Sequence, residues 1–123
     1  MENSLGNRIR KGDRLLLRTD HNNSYDGGSE RWMTESPYLT IGATKWCIEK
    51  GVVIVGYDFY HGNDEPGAPR GFHNSRTLSE HGIITMPYLK NLDRIEKDRF
   101  TLIGLPLNLI GAEASPVRAV ALC

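Results

Sequence analysis

The chain has 123 residues, 39% of them hydrophobic, and its 15 Lys and Arg balance 15 Asp and Glu to give a formal net charge of zero. That is room for one domain with a modest core, and the interleaved charges exclude both a basic nucleic-acid stripe and an acidic disordered tail. Two scattered cysteines, Cys47 and Cys123, exclude a disulfide framework or zinc cage, and neither a signal peptide in residues 1–5 nor an apolar run near the roughly 20 residues of a membrane helix is present, so the expectation is a reduced, cytoplasmic protein with no nucleic-acid or membrane partner.

Residues 1–12 are polar, and Lys11-Gly12-Asp13 reads as a turn. The run 14–19, with Leu15-Leu16-Leu17 at its centre, predicts a strand covered on both faces. Residues 20–35 change to His, Asn, Ser, Gly and charge, anchored by Tyr25, Trp32 and Met33, and read as a long loop of the functional kind. Thr40 caps a predicted helix to Lys50, with Ala43, Trp46 and Cys47 on one face and Gly51 ending it. A buried strand follows at 52–55, and this helix-then-strand order predicts parallel pairing with the first strand.

Beyond Gly56-Tyr57-Asp58 lies a Gly/Pro-rich loop, 61–72. Asn74 or Ser75 caps a predicted short helix, 76–81, stopped by Gly82, and a short strand at 83–86 ends at Pro87. Asn91 to Ile95 reads as a helical turn. The segment 100–109 alternates, with Ile103, Leu105, Leu107 and Leu109 on one face, and 116–122 is a final strand. The expectation is a single α/β domain over 1–123, with about five strands in a mixed sheet and two or three helices. Strands that look buried on both faces, with so few helices, imply a layer supplied from elsewhere.

Among polar residues, Asp58 ends a buried strand, where open α/β sheets place ligand groups, although a carboxylate there also caps loop amides. Arg18, at the end of the first strand, has the fork that holds a carboxylate ligand or an acid in the core. His21 follows Asp20, but neighbours on a strand point to opposite faces, so adjacency makes no catalytic pair. His81 is placed to interact with a helix C-terminus, and Trp32 and Tyr25 to anchor their loop. No G-x-S-x-G elbow is present.

Several stretches, in order, resemble one family. Residues 12–19, GDRLLLRT, are similar to its "GDxVLLRTG" strand, and 46–58, WCIEKGVVIVGYD, to its "WLxExGVxxVGxD" segment. Arg76-Thr77-Leu78 with Gly82-Ile83 resembles "HRxLLxxGI", Asn91-Leu92-Asp93 follows at the expected distance, and 100–122, FTLIGLPLNLIGAEASPVRAVAL, is similar to the C-terminal signature. The family is that of the cyclase-type metal hydrolases, which includes bacterial kynurenine formamidase and isatin hydrolase. The resemblance covers residues 11–123 and implies a swivelling β/β/α fold, an oligomer, and hydrolysis of C–N bonds of amides by a zinc- or manganese-bound water.

In the family most metal ligands stand in an N-terminal "HxGTHxDxPxH" motif, which residues 1–123 do not contain. Two further ligands, the His of "HRxLL" and a Glu after the next strand, fall by the resemblance on Ser75 and Pro87. A hydroxyl is a poor ligand beside imidazole, and proline offers no side-chain donor atom. The expectation is therefore a truncated cyclase-like domain with no bound cofactor and no catalytic residue of its own. Its candidate small-molecule pocket is formed by Arg18, Asp58, His61 and His73, and a second copy of the chain covers its open edges as a homodimer or higher oligomer. The alternative is a metal-dependent amide or lactam hydrolase with a site rebuilt across subunits from His61, His73, Asp64 and Glu65.

Overall fold

A computed structural model describes residues 8–69 and 71–123; residues 1–5, read above for a signal peptide, lie outside the described residues. The chain forms two compact units, one running to Lys90 and the other Asn91–Cys123. The first holds β1 (Arg14–Leu17), α1 (His21–Ser24), α2 (Glu30–Thr34), α3 (Ile41–Lys50), β2 (Ile54–Tyr57), α4 (His73–Glu80) and β3 (Ile84–Met86). The second holds a 3-10 turn, Leu92–Arg94, then β4 (Thr101–Pro106) and β5 (Val117–Leu122).

In the first unit the strands lie in the order β1-β2-β3, all parallel, so the pairing expected of the first two strands is present. Each crossover carries a helix, and right-handed connections across a sheet built in one direction put both helices on one face. Leu15, Leu17, Val55 and Tyr57 line that face, with Cys47 of α3 and Leu78 of α4 in the same core cluster. The opposite face carries Leu16, Gly56 and Met86 in one lateral row and Ile54 and Ile84 in the next; Ile84 is 61% exposed. Gly56 allows close approach there: a Cβ would stand 2.5 Å from Leu16 Cδ2 and 2.9 Å from Leu89 Cδ1.

Helix α3 starts and stops as its sequence predicts. Thr40 Oγ1 accepts from the Ala43 N–H, and Gly51, at φ 68°, closes the C-terminus in the left-handed conformation that glycine adopts without steric cost. The closure also uses Val52, whose N–H donates to Cys47 O, so β2 begins at Ile54 rather than at residue 52. β1 ends at Leu17, two residues short of the predicted strand, because the Thr19 and Asp20 amides turn to the Asp58 carboxylate.

Among the described residues four helices form where two or three are expected. The region read as a loop folds into α1 and α2, with Ser29 Oγ accepting from Trp32 N–H at the start of α2. Buried Trp32 is the anchor: its Nε1–H donates to Asn22 Oδ1 at 2.6 Å, and its carbonyl is 2.8 Å from His21 Nε2. Helix α4 starts at His73, earlier than the predicted 76, because its first amides are capped from a distant loop rather than by Asn74 or Ser75.

Among the described residues the five strands lie in two sheets rather than in one mixed sheet. In the second unit β4 and β5 pair antiparallel, from Thr101↔Leu122 to Pro106↔Val117. Leu107 and Leu109 leave the predicted strand because the chain turns there, the Leu109 N–H donating to Leu107 O. No helix among the described residues is long and apolar enough to cross a membrane.

Leu78 is fully buried between α4 and the sheet. Leu78→Ala is expected to cost about 2–5 kcal/mol in urea denaturation of the whole chain. A loss under about 1 kcal/mol would contradict this placement of the core.

Candidate functional site

The C-terminal ends of the parallel strands are where an open α/β sheet offers a crevice. At β2 that end runs into Asp58, Phe59, Tyr60 and His61. A narrow cleft lies there, with room for about one water molecule, lined by Tyr57, Phe59, Tyr60, His61, Asn63, Asp64, Leu39, Asn74 and Ser75.

Its aromatic wall is a ladder of near-parallel rings. Tyr57 stacks on Phe59 with centroids 4.4 Å apart, His61 follows Tyr57 at 6.0 Å, and Phe72 follows His61 at 5.7 Å. The Tyr57 hydroxyl is in a short contact with His61 Nδ1. Burial pushes the His61 pKa down and outweighs the opposite pull of the Asp64 carboxylate; burial likewise pushes the Tyr57 hydroxyl up. The pair is therefore a neutral imidazole and a neutral phenol at pH 7.

Its polar floor is a capping network. Asp64 Oδ2 accepts from His73 N–H at 3.0 Å and Oδ1 from Asn74 N–H at 3.3 Å, so this carboxylate sits on the positive end of α4. Asn74, itself buried, donates through Nδ2 to Leu39 O and to Asp64 Oδ1, and accepts from the Thr44 hydroxyl of α3 at 2.9 Å. The next residue repeats the device on the other helix: Glu65 Oε2 accepts from Ile41 N–H at 2.6 Å, at the start of α3. Among the described residues, every buried side-chain nitrogen and oxygen has a hydrogen-bond partner.

Of the four residues expected to form a pocket, the cleft is lined by His61 alone. Arg18 is exposed and forks onto its neighbour Asp20, with Nε 2.6 Å from Oδ1. Asp58 is buried, and its carboxylate accepts from the Thr19 N–H and hydroxyl and the Asp20 N–H, tying the end of β1 to the end of β2. His73 opens α4 and enters the network through its backbone. Sequence reasoning missed Asn74 as the hub; its signal was a polar residue four ahead of the apolar Leu78, one turn away on the same helix face, and it was read as a local cap.

Ser75 sits in the first turn of α4 with its hydroxyl donating to Phe72 O at 3.1 Å. Pro87 follows β3 directly, before Tyr88 at φ 65°, and the Leu89 N–H then returns to Tyr57 O. No three His, Cys, Asp or Glu side chains among the described residues converge where they could hold a metal ion. Asp64 and Glu65, the acids in the loop that follows His61, are engaged by helix amides. The donor set present thus does not fit a catalytic divalent metal. Cys47 offers no substitute, its thiol pushed up by burial to about 11.

Outside the cleft, His81 Nδ1 lies 2.8 Å from Thr77 O at the end of α4, and Arg31 and Tyr25 both donate to Glu35, holding its carboxyl down at about 2. These are surface arrangements of a folded helix and loop.

Against known proteins, residues 1–62 match the model of the Cyclase family, described as "Putative cyclase". The chain is similar to the kynurenine formamidase of Bordetella petrii, 33% identical over 112 residues that make up 87% of this chain and 48% of the relative. The kynurenine formamidase of Bacillus cereus is 33% identical over 108 residues, 88% of this chain and 48% of that protein. Two solved structures are similar in fold. One, a potential metal-dependent hydrolase with cyclase activity, has a TM-score of 0.72 and 25% identity over 92% of this chain and 52% of the other. The second, a predicted metal-dependent hydrolase from Bacillus stearothermophilus, has a TM-score of 0.74 and 23% identity over 98% of this chain and 54% of the other. The chain spans about half the length of the relatives it matches.

The depressed His61 pKa has a definite sign. On acidification the unfolded chain protonates this histidine first, so the stability tied to it is full above 6.5 and falls as pH drops toward the folded value. An NMR titration of the ring is expected to show a midpoint below 6.5. A midpoint at or above it would contradict the desolvated pairing with Tyr57.

Proposed function

Since the chain belongs to the Cyclase family, we propose that it is a non-catalytic member, a cyclase-type α/β chain that holds no catalytic metal and does not hydrolyse amides by itself. In this reading the cleft beside Tyr57 and His61, with room for about one water molecule, takes no more than a single polar group of a small molecule, set against an imidazole and a phenol. The observation that carries the reading is the engagement of Asp64 and Glu65 as helix caps, beside a serine and a proline at the two ligand positions implied by the resemblance.

The energetics support it. Recruiting either acid to a metal would uncap a helix at a cost of about 0.5–2 kcal/mol each and leave amide donors without partners. A site rebuilt across subunits would need those same acids, so it is the weaker reading. A cytoplasmic address belongs to the proposal, supported by two free thiols, Cys47 and Cys123, and no disulfide.

The test restores the two ligand positions. The Ser75→His, Pro87→Glu double variant of the whole chain, supplied with zinc or manganese and an aryl formamide, is expected to show no turnover above the metal-only control. Measurable formamidase turnover from that variant would contradict the proposal, because it would mean that the rest of a working site is present.

A further inference from the structure

The connection between α1 and α2 has a chemistry that the cleft does not use. It reads Tyr25-Asp26-Gly27-Gly28-Ser29, and Asp26-Gly27 is the one place in the 123 residues where an Asp or Asn precedes a Gly. The Ser29 N–H donates to Asp26 O at 3.1 Å and Gly28 has φ 87°, so residues 26–29 form a tight turn with glycine where a positive φ is required. Asp26, Gly27 and Gly28 are all exposed.

Both groups that could react there are free. Among the described residues nothing bonds to the Asp26 carboxylate or to the Gly27 N–H. By contrast the Asp58 and Asp64 carboxylates accept from backbone amides, and that of Asp20 accepts from Arg18. Asn22, Asn63 and Asn74 commit their side-chain amides to carbonyls. A Cβ built on Gly27 meets nothing within 4 Å, so no neighbour shields its nitrogen, and glycine has no side chain of its own to do so.

We propose that Asp26-Gly27 is an isomerisation site, where the main chain passes through a succinimide to isoaspartate, and that this change unlocks the segment of α1 and α2. The Gly27 nitrogen bonds to Asp26 Cγ, and one carboxyl oxygen leaves as water with the amide hydrogen and a proton from solvent. Water then opens the five-membered ring. Its hydroxyl goes to the attacked carbonyl carbon, one hydrogen returns to the nitrogen, and the new carboxyl releases a proton to solvent. Attack at Cγ restores aspartate. Attack at the main-chain carbonyl leaves the chain running through Cβ and Cγ, with the former carbonyl now a free carboxylate.

That carbonyl is the acceptor for the Ser29 N–H, and Ser29 Oγ in turn accepts from the Trp32 N–H at 3.1 Å. Losing the turn therefore loosens the cap of α2, a helix of 5 residues that is too short to persist alone. Buried Trp32 is the group released: its indole donates to Asn22 Oδ1 at 2.6 Å, and its ring meets Tyr60 at 5.4 Å. The inference holds whether or not the cleft binds a small molecule.

The experiment ages the whole chain in warm neutral buffer, folded and in urea, and maps isoaspartate in the tryptic peptide 19–31 by electron-transfer fragmentation. Exchange of the Trp32 indole N–H is followed by NMR on the folded samples. Isoaspartate is expected at position 26 of the folded chain, at a rate within severalfold of that in urea. Asp26→Glu, which would need a six-membered ring, abolishes it, and Gly27→Ala slows it severalfold. Indole exchange quickens in step with isoaspartate and stays slow in the aged Asp26→Glu variant; amide circular dichroism checks that both variants fold. Absence of isoaspartate at 26 in the folded chain would overturn the proposal. So would isoaspartate that leaves the Trp32 exchange unchanged.

Discussion

The first unit depends on one carboxylate. Asp64 reaches across a glycine-rich loop to the first amides of α4, and the helix it caps delivers Asn74 into the interior. From there Asn74 bonds to Thr44 of α3 and to Leu39 O, so α3, α4 and the loop converge on one buried amide. A buried amide of this kind is tolerable when its donors and its acceptor are paired, and here both Nδ2 hydrogens and Oδ1 have partners. Glu65 binds the start of α3 in the same way. Two adjacent acids thus fix the two helices over the sheet.

In the proposed reading that constraint limits the chemistry of these residues. A carboxylate aimed at a helix N-terminus is stabilised by the amides around it, and moving it to a metal forfeits that stabilisation. The cleft is left with His61, Tyr57 and the Ser75 hydroxyl, groups suited to hydrogen-bonding a neutral ligand. Burial keeps the imidazole neutral, which agrees with its packing between Tyr57 and Phe72. Membership of the Cyclase family describes the scaffold, while function resides in the groups the scaffold presents.

What could be read from the sequence follows the range of the interactions involved. Helix α3 was legible at both ends because its cap and stop are local: Thr40 three residues before Ala43, and Gly51 immediately after the last turn. Parallel pairing of β1 with β2 followed from the intervening helix. The start of α4 was not legible, because its cap lies nine residues upstream in sequence and Phe72, with φ 56°, is no ordinary N-cap residue. Nor was the second sheet, since alternation in 100–109 shows a strand without naming its neighbour. The family resemblance located Ser75 and Pro87, but only the structure shows where the nearby acids are directed.

The most direct test of this account is elemental analysis of the whole chain purified without chelator or metal-affinity tag. Zinc and manganese are predicted far below one per chain, and to stay so after incubation with either metal and gel filtration. Stoichiometric metal surviving that step would contradict the account, since it would mean that the Asp64 and Glu65 carboxylates leave their caps for the metal or that other donors converge.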